Sequence, residues 1–208
     1  MNIQDEVASY NVSRETKQRL EKFVLLLCEW NKKMNLVSKN SLPDVWERHV
    51  LDSMQLIKYI DQNARCLVDI GSGAGFPGVV LAVLMKEKMP KTKLNLVESI
   101  TKKTMYLKDV CANLELNNVE ILNGRVENAV FKDVDVITAR AVASLDKLLS
   151  YSYSLAGAKT RMIFPKGATY NVELIEAEYN WDFDCLVHKN MYHEDGVVLE
   201  INKLGKKK

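Results

Sequence analysis

Four glycines and two carboxylates in this chain are arranged as a turn that binds a nucleotide needs them. Gly71, Gly73, Gly75 and Gly78 follow the apolar run Leu67-Val68-Asp69-Ile70, and a second run, Leu94-Asn95-Leu96-Val97, ends in Glu98. Glycine is needed where a Cβ would block a ligand or where φ must be positive. The apolar stretch Val79 to Met85 reads as a helix, and the first N–H groups of a helix have no partners of their own. Strand, tight turn and helix N-terminus in that order let a ligand approach the backbone, with Glu98 placed for ribose hydroxyls. The chemistry implied is the binding of a nucleotide-like cofactor.

The glycines can be read in two registers. Gly73-x-Gly75-x-x-Gly78 fits the dinucleotide fingerprint, in which a pyrophosphate sits on the helix N-terminus. Asp69-x-Gly71-x-Gly73-x-Gly75 fits the motif of S-adenosylmethionine-dependent methyltransferases. Asp69, with bulky Phe76 and Pro77 at the helix start, favours the second: a sulfonium is cationic and prefers a nearby carboxylate, which would repel a pyrophosphate.

The secondary structure around these residues is read from periodicity. Leu20, Phe23, Val24, Leu27, Trp30 and Met34 form one stripe of a helix over 13–34, with Ser13 as its cap. Ser41 is the expected N-cap of a second helix, carrying Val45, Trp46, His49, Val50, Leu56, Ile57 and Ile60. Strands are expected at Cys66–Ile70, Leu94–Val97, Val119–Leu122, Val134–Thr138 and Arg161–Phe164. Helices near 77–88, 102–115, 144–156 and 170–179 alternate with them, and Gly157 falls at a helix C-cap position. Alternating β and α elements imply a parallel sheet covered on both faces. Asp182–Lys189 and Val197–Lys203, joined through Asp195-Gly196, read as two adjacent strands. The fold class expected is α/β, Rossmann-like: a mostly parallel seven-stranded sheet finished by a C-terminal antiparallel hairpin. Residues 1–63 form an N-terminal helical extension packed on the core, and residues 64–208 the cofactor-binding core.

Composition excludes several alternatives. A length of 208 residues suits one such domain, and a net charge of +2 is too small to advertise nucleic-acid binding by itself. The terminal Lys203-Leu204-Gly205-Lys206-Lys207-Lys208 reads as a solvated end, with contact to RNA phosphates as the alternative. Cys28, Cys66, Cys111 and Cys185 are scattered without metal spacing, which suggests reduced thiols, a cytoplasmic protein and no metal site. The polar N-terminus and the lack of a long apolar run argue against a signal peptide or a membrane span.

The segment after the fourth strand bears on the methyl acceptor. An exocyclic-amine methylase typically has an Asn or Asp there, then prolines and an aromatic; a pyrimidine-C5 methylase needs a cysteine nucleophile. Here stand Ile137-Thr138-Ala139-Arg140-Ala141-Val142-Ala143. An acceptor that needs neither covalent activation nor a base fits, and guanine N7 is one.

Several segments together carry a family resemblance. They are Met34-Asn35-Leu36-Val37-Ser38, His49-Val50-Leu51-Asp52-Ser53, Val68 to Gly78, Leu96-Val97-Glu98-Ser99 with Lys102-Lys103, Arg125-Val126-Glu127, Thr138 to Leu145, and Lys166-Gly167. The chain resembles the RsmG (GidB) family of bacterial 16S rRNA guanine-N7 methyltransferases. The glycine loop is shared with many methyltransferases, whereas its combination with His-x-x-Asp-Ser and Arg-Ala-x-Ala-Ser-Leu is far more specific. The resemblance implies S-adenosylmethionine bound at Gly71, Gly73, Gly75 and Phe76, at Val126 and Glu127, and at Arg140, with Glu98 on the ribose. It also implies 16S rRNA as partner, within the small subunit or an assembly intermediate, and a monomer. Lys103 and the Phe164-Pro165 pair depart from the family pattern on the RNA side.

The remaining candidates each have a plainer reading. Arg140 could pair with Asp135 or Glu127, although its place after a strand favours a ligand-facing role in which it must not hold an attacking N7. His49 and Asp52, three apart on one helix face, either bond to each other or face the substrate, with His49 as a substrate-binding candidate. Lys102, Lys103, Arg125 and Lys166 are candidates for a phosphate-binding rim or are solvated charges, and Trp30 and Trp46 read as core. Two rival functions stand beside methyl transfer: an NAD(P)-dependent oxidoreductase, and a non-catalytic regulator that keeps the cofactor fold.

Overall fold

Ser13 starts the first long helix as its sequence dictates: its hydroxyl accepts from Thr16 N, and α2 runs Arg14–Asn31 behind a short α1, Ile3–Ser9. These assignments come from a computed structural model that describes residues 2–207. The second helix differs from expectation. Ser41 closes a 3-10 turn, Lys39–Ser41, and its Oγ bonds Ser38 O rather than capping a helix. The next helical run is π over Trp46–Leu51, one α turn over Asp52–Met54 (α3), and 3-10 over Gln55–Tyr59.

The alternating region holds β1 Cys66–Ile70, α4 Gly78–Lys88, β2 Lys93–Glu98, α5 Thr101–Asn113, β3 Val119–Asn123, β4 Val134–Ala139 and α6 Leu145–Tyr153. It continues with β5 Ala156–Lys166, α7 Tyr170–Ala177, β6 Trp181–Lys189 and β7 Val197–Lys206. The seven strands form one sheet in the order β3-β2-β1-β4-β5-β7-β6. Strands β1 to β5 pair in parallel, and β7 runs antiparallel to both β5 and β6. Strand order reverses direction at β1, so a crevice opens beyond the C-terminal ends of β1 and β4, the general place for ligands in open α/β sheets. The fold is thus α/β and Rossmann-like, with an antiparallel end. Gly157 is not a helix cap: α6 ends at Tyr153 with Ser154 as its C-cap, and Gly157 lies in the early part of β5 with its N–H on Thr160 Oγ1.

Two cores flank the sheet. One gathers Leu20, Phe23 and Leu27 of α2, Leu51 and Met54, and the whole of α4 from Val79 to Met85. Helix α4 is apolar all round because the sheet covers one side and the N-terminal helices the other. The other core packs Leu145, Leu148 and Leu149 of α6 against Met162, Phe164 and Leu199. Trp30 and Trp46 pack against the first core, and Trp30 Nε1 donates to Asp109. The lysine-rich end is built into the sheet: Lys203 pairs with Asp184 at 2.8 Å and Lys206 lies in β7, while Lys208 lies outside the described residues.

Candidate functional site

The turn after β1 is fixed from below and beside. Gly71 N and Ser72 N both donate to Val97 O, which ties the loop to β2. Gly71 has φ +66°, and a Cβ there would stand 2.6 Å from Val142 Cγ2, so only glycine lets the two loops meet. A Cβ on Gly78 would lie 2.5 Å from Asp69 Oδ2, so α4 starts directly on top of that carboxylate.

Asp69 therefore does not face a ligand, contrary to the sequence expectation. It is fully buried, its Oδ1 accepts from Thr138 Oγ1 at 2.7 Å, and burial pushes its carboxyl up to about 6. Its work is to join β1, β4 and the start of α4.

Glu98 reaches back to the glycine loop. Its Oε2 accepts from Gly73 N at 3.0 Å and its Oε1 from Ile100 N at 2.7 Å. A carboxylate has about four acceptor sites, so about two remain for hydroxyls. Val126, buried in the 3-10 turn Val126–Asn128, and exposed Glu127 stand beyond the end of β3, with exposed Arg125 just before them. Glycine loop, Glu98 and the Val126 turn thus line one end of the sheet, β1-β2-β3.

Arg140 is the hub of the crevice. Its Nη1 donates to Asp52 Oδ2 at 2.9 Å and to Arg48 O at 3.1 Å, and its Nη2 lies 3.1 Å from His49 Nδ1. The guanidinium sits 5.0 Å over the Phe76 ring, on which His49 also packs at 5.0 Å. Its ion partner is Asp52, neither Asp135 nor Glu127; Asp135 instead accepts from Arg65 N and Cys66 N. Asp52 does not bond His49 either, because its oxygens are taken by Arg140, Asn190 and Gln55. The π turn over Trp46–Leu51 leads directly into Asp52, and both His49 and Asp52 meet Arg140; such turns cluster at functional sites.

His49 is neutral in this setting. Burial and then the Arg140 charge lower it to about 4. Because Nδ1 receives the Arg140 N–H, the ring proton belongs on Nε2, which is buried without a partner.

Two cavities meet here. One, of about 340 Å³, is lined by Gly71, Gly73, Phe76, Val37, Ser38 and Lys103. The other, of about 620 Å³, is lined by Asp52, Ala143, Lys166, Gly167, Asn190 and His193. Arg48, His49, Arg140 and Ala141 line both. The sequence-predicted residues that come together are thus Gly71, Gly73, Phe76, His49, Lys103, Arg140 and Lys166. Gly75 is nearby but turned to Phe23 and Val79, and Lys102 is exposed on α5. Lys166 is committed: it donates to Ala143 O at 3.0 Å and to Glu173 Oε2 at 2.7 Å, and it is only 8% exposed. Sequence reasoning missed Asn190, whose partner Asp52 is 138 residues away, Gln55, which bonds both nearby Asp52 and distant Met191, and Glu173, which bonds Lys166 seven residues before it.

The glycine loop and the unused acceptor sites of the buried Glu98 fit a cofactor that carries a nucleoside. A family model described as rRNA small subunit methyltransferase G matches residues 16–200. A protein of Bartonella henselae named ribosomal RNA small subunit methyltransferase G is 42% identical over 93% of this chain and 90% of its own length. One of that name from Rickettsia prowazekii is 37% identical over 94% and 98%. Among solved structures, a SAM-dependent methyltransferase from Aquifex aeolicus matches with TM-score 0.59 at 19% identity, covering 76% of this chain and 93% of that one. The ribosomal protein L11 methylase of Lactobacillus delbrueckii subsp. bulgaricus matches with TM-score 0.60 at 15% identity, over 75% and 78%. At such identities the two structures speak for the fold alone.

Proposed function

The chain belongs to the rRNA small subunit methyltransferase G family, and on that basis we propose that it transfers a methyl group from S-adenosylmethionine to N7 of a guanine in a decoding-region loop of 16S rRNA. The cofactor is S-adenosylmethionine, which supplies an electrophilic methyl group when bound. The observation that carries the reading is the pair of cavities sharing Arg48, His49, Arg140 and Ala141. One is walled by the glycine loop and suits the methionine half of the cofactor. The other is wide enough for a base splayed out of an RNA loop.

In this reading Glu98 holds the ribose hydroxyls, and Val126 and Glu127 border the adenine. Phe76 closes the cavity floor behind Arg140 and His49 and keeps water out. Arg140 spends three N–H donors on Asp52, Arg48 O and His49, which leaves two of its five for the acceptor. Those two serve O6 or a phosphate, since an N7 held by a donor has no lone pair to give. No general base is needed, and His49 cannot be one: its proton-free nitrogen is already engaged by Arg140. Catalysis is then proximity, alignment and exclusion of water. Lys103 at the cavity rim, with Lys102 and Arg125 on the exposed sheet end, meets RNA phosphates, while Lys166 holds the loop after β4.

With so small a net charge, shape and protein contacts must supply part of the affinity, so the substrate is the assembled small subunit or a late intermediate, met by a monomer in the cytoplasm. The test incubates the protein with methyl-labelled cofactor and either undermethylated small subunits or protein-free 16S rRNA. Label in the rRNA of subunits is expected, with much less in free RNA. Equal labelling overturns the subunit preference, and label in neither overturns the substrate.

A further inference from the structure

The turn between β6 and β7 is held to the crevice by Met191 N on Gln55 Oε1, by His193 Nε2 at 3.4 Å from Arg48 O, and by one buried amide that reaches the Asp52 carboxylate. Asn190 is 3% exposed, and its Nδ2 donates to Asp52 Oδ1 at 2.7 Å across 138 residues of sequence. Its Oδ1 accepts from Tyr192 N and His193 N, so the amide cannot turn over without losing two bonds. Asn190 N donates to Gly196 O, and a Cβ on Gly196 would stand 2.9 Å from His193 Cβ. The turn is therefore stiff, and it presents one donor to the carboxylate that orients Arg140.

We propose that Asn190 is a positioning residue for methyl transfer, acting on Arg140 through Asp52. The inference rests on the acceptor-binding role of Arg140 proposed above. Asp52 Oδ2 bears on Arg140 while Oδ1 is held by Asn190 and by Gln55 at 2.9 Å, so the carboxylate plane is fixed at both ends. Loss of Asn190 leaves Oδ1 on Gln55 alone, so the plane is less tightly held and Arg140 loses alignment with it. A misdirected guanidinium lowers the rate by misalignment more than it lowers binding.

A titrating variant reads this out. Asn190→Asp sets two carboxylates at the same 2.7 Å approach, and one proton must be shared between them. When that proton is absent the two repel and Asp52 swings away. When it is present an O–H donor replaces the lost N–H. The charged and titratable groups facing Asp52 are Arg140 from the loop after β4, Arg48 and the neutral His49 from the π turn, and His193 from the β6–β7 turn, with Nε2 at 3.9 Å. Lys166, Glu173, Glu194 and Asp195 line the same cavity.

The experiment measures kcat and KM for methyl transfer into small subunits, as the ratio of variant to wild type, between about pH 8 and about pH 6. For Asn190→Asp, kcat is expected to fall about tenfold at the alkaline end and to return within about threefold at the acid end, with KM little changed. Asn190→Ala should lose about tenfold with a ratio independent of pH. Repeating the series in a His193→Gln background removes the neighbouring imidazole. A flat ratio for Asn190→Asp, or a kcat for Asn190→Ala within about twofold of wild type, overturns the proposal. If wild type itself leaves rRNA unlabelled, the reading of the function has failed; if wild type labels it and the ratio stays flat, only the role of Asn190 has.

Discussion

Replacing Asp52 by Asn should damage this protein far more than a change of one atom suggests. The Asp52 side chain is 3% exposed and that of Arg140 16%. Oδ2 accepts from Arg140, and Oδ1 from Asn190 and Gln55. The new amide has one acceptor oxygen for donors on two sides. If the oxygen stays towards Asn190 and Gln55, an NH2 group meets the Arg140 guanidinium. If it turns towards Arg140, the NH2 group meets two other donors. The neighbours cannot adapt, because Asn190 Oδ1 holds Tyr192 N and His193 N, and Gln55 Oε1 holds Met191 N. One charge-assisted bond is lost, worth about 1.5–3 kcal/mol, and a largely buried cation loses its counter-charge, so the total cost is about 3 kcal/mol. In a chain of this size that lowers the melting temperature by about 6–12 °C. Arg140→Met should cost less, because Asp52 keeps its other donors, and the double variant should show a coupling of about 2 kcal/mol that survives 1 M salt. Thermal and urea unfolding of the four proteins measure this, with methyl transfer assayed in parallel. A melting temperature for Asp52→Asn within about 2 °C of wild type, or a coupling below about 0.5 kcal/mol, would show that the buried pair does not hold the crevice together.

Other perturbations address separate parts of the site. Glu98→Gln should weaken S-adenosylmethionine binding by about one to two powers of ten in calorimetry, because the hydroxyls lose an ionised acceptor. Gly78→Ala forces a methyl against Asp69 at 2.5 Å and should cost about 1–3 kcal/mol in urea unfolding, with α4 pushed off β1. His49 is lowered in the folded state from its ordinary 6.5 to about 4, so the unfolded chain takes up the proton first. Its contribution to stability is intact above about pH 6.5 and is lost as the pH falls towards about 4. His49→Gln should therefore narrow the difference in melting temperature between neutral and acidic buffer, which scanning calorimetry would detect.

The parts of the fold that were legible are those whose cause is local. Ser13 caps α2 with a hydroxyl three residues from its target, and the stripe of Leu20, Phe23 and Leu27 sets the buried face. The glycine loop and Glu98 sit on consecutive strands, so a motif spanning about thirty residues contains both. The hidden parts depend on contacts across the chain. Arg140 had Asp135 and Glu127 near in sequence, but its partner Asp52 is 88 residues away. Asn190 carries no local signal: it follows directly on the strand expected at Asp182–Lys189, and the carboxylate it holds lies in an N-terminal helical run. The hydrophobic spacing of that run predicts a regular helix, since such spacing does not distinguish α from π over a few residues. Asp69 misled for a different reason. Its position before the glycines matched the motif, yet the close start of α4 at Gly78 buries it away from the crevice.

The proposed function stands or falls on the methyl acceptor being a guanine N7 in 16S rRNA. Labelled small subunits are treated with reagents that cleave RNA at N7-methylguanine, and the breaks are mapped by primer extension. One protein-dependent cleavage at a guanine of 16S rRNA, lost in Arg140→Met, is the predicted result. Label that stays in uncleaved RNA, or that appears on another base or in protein, would contradict it.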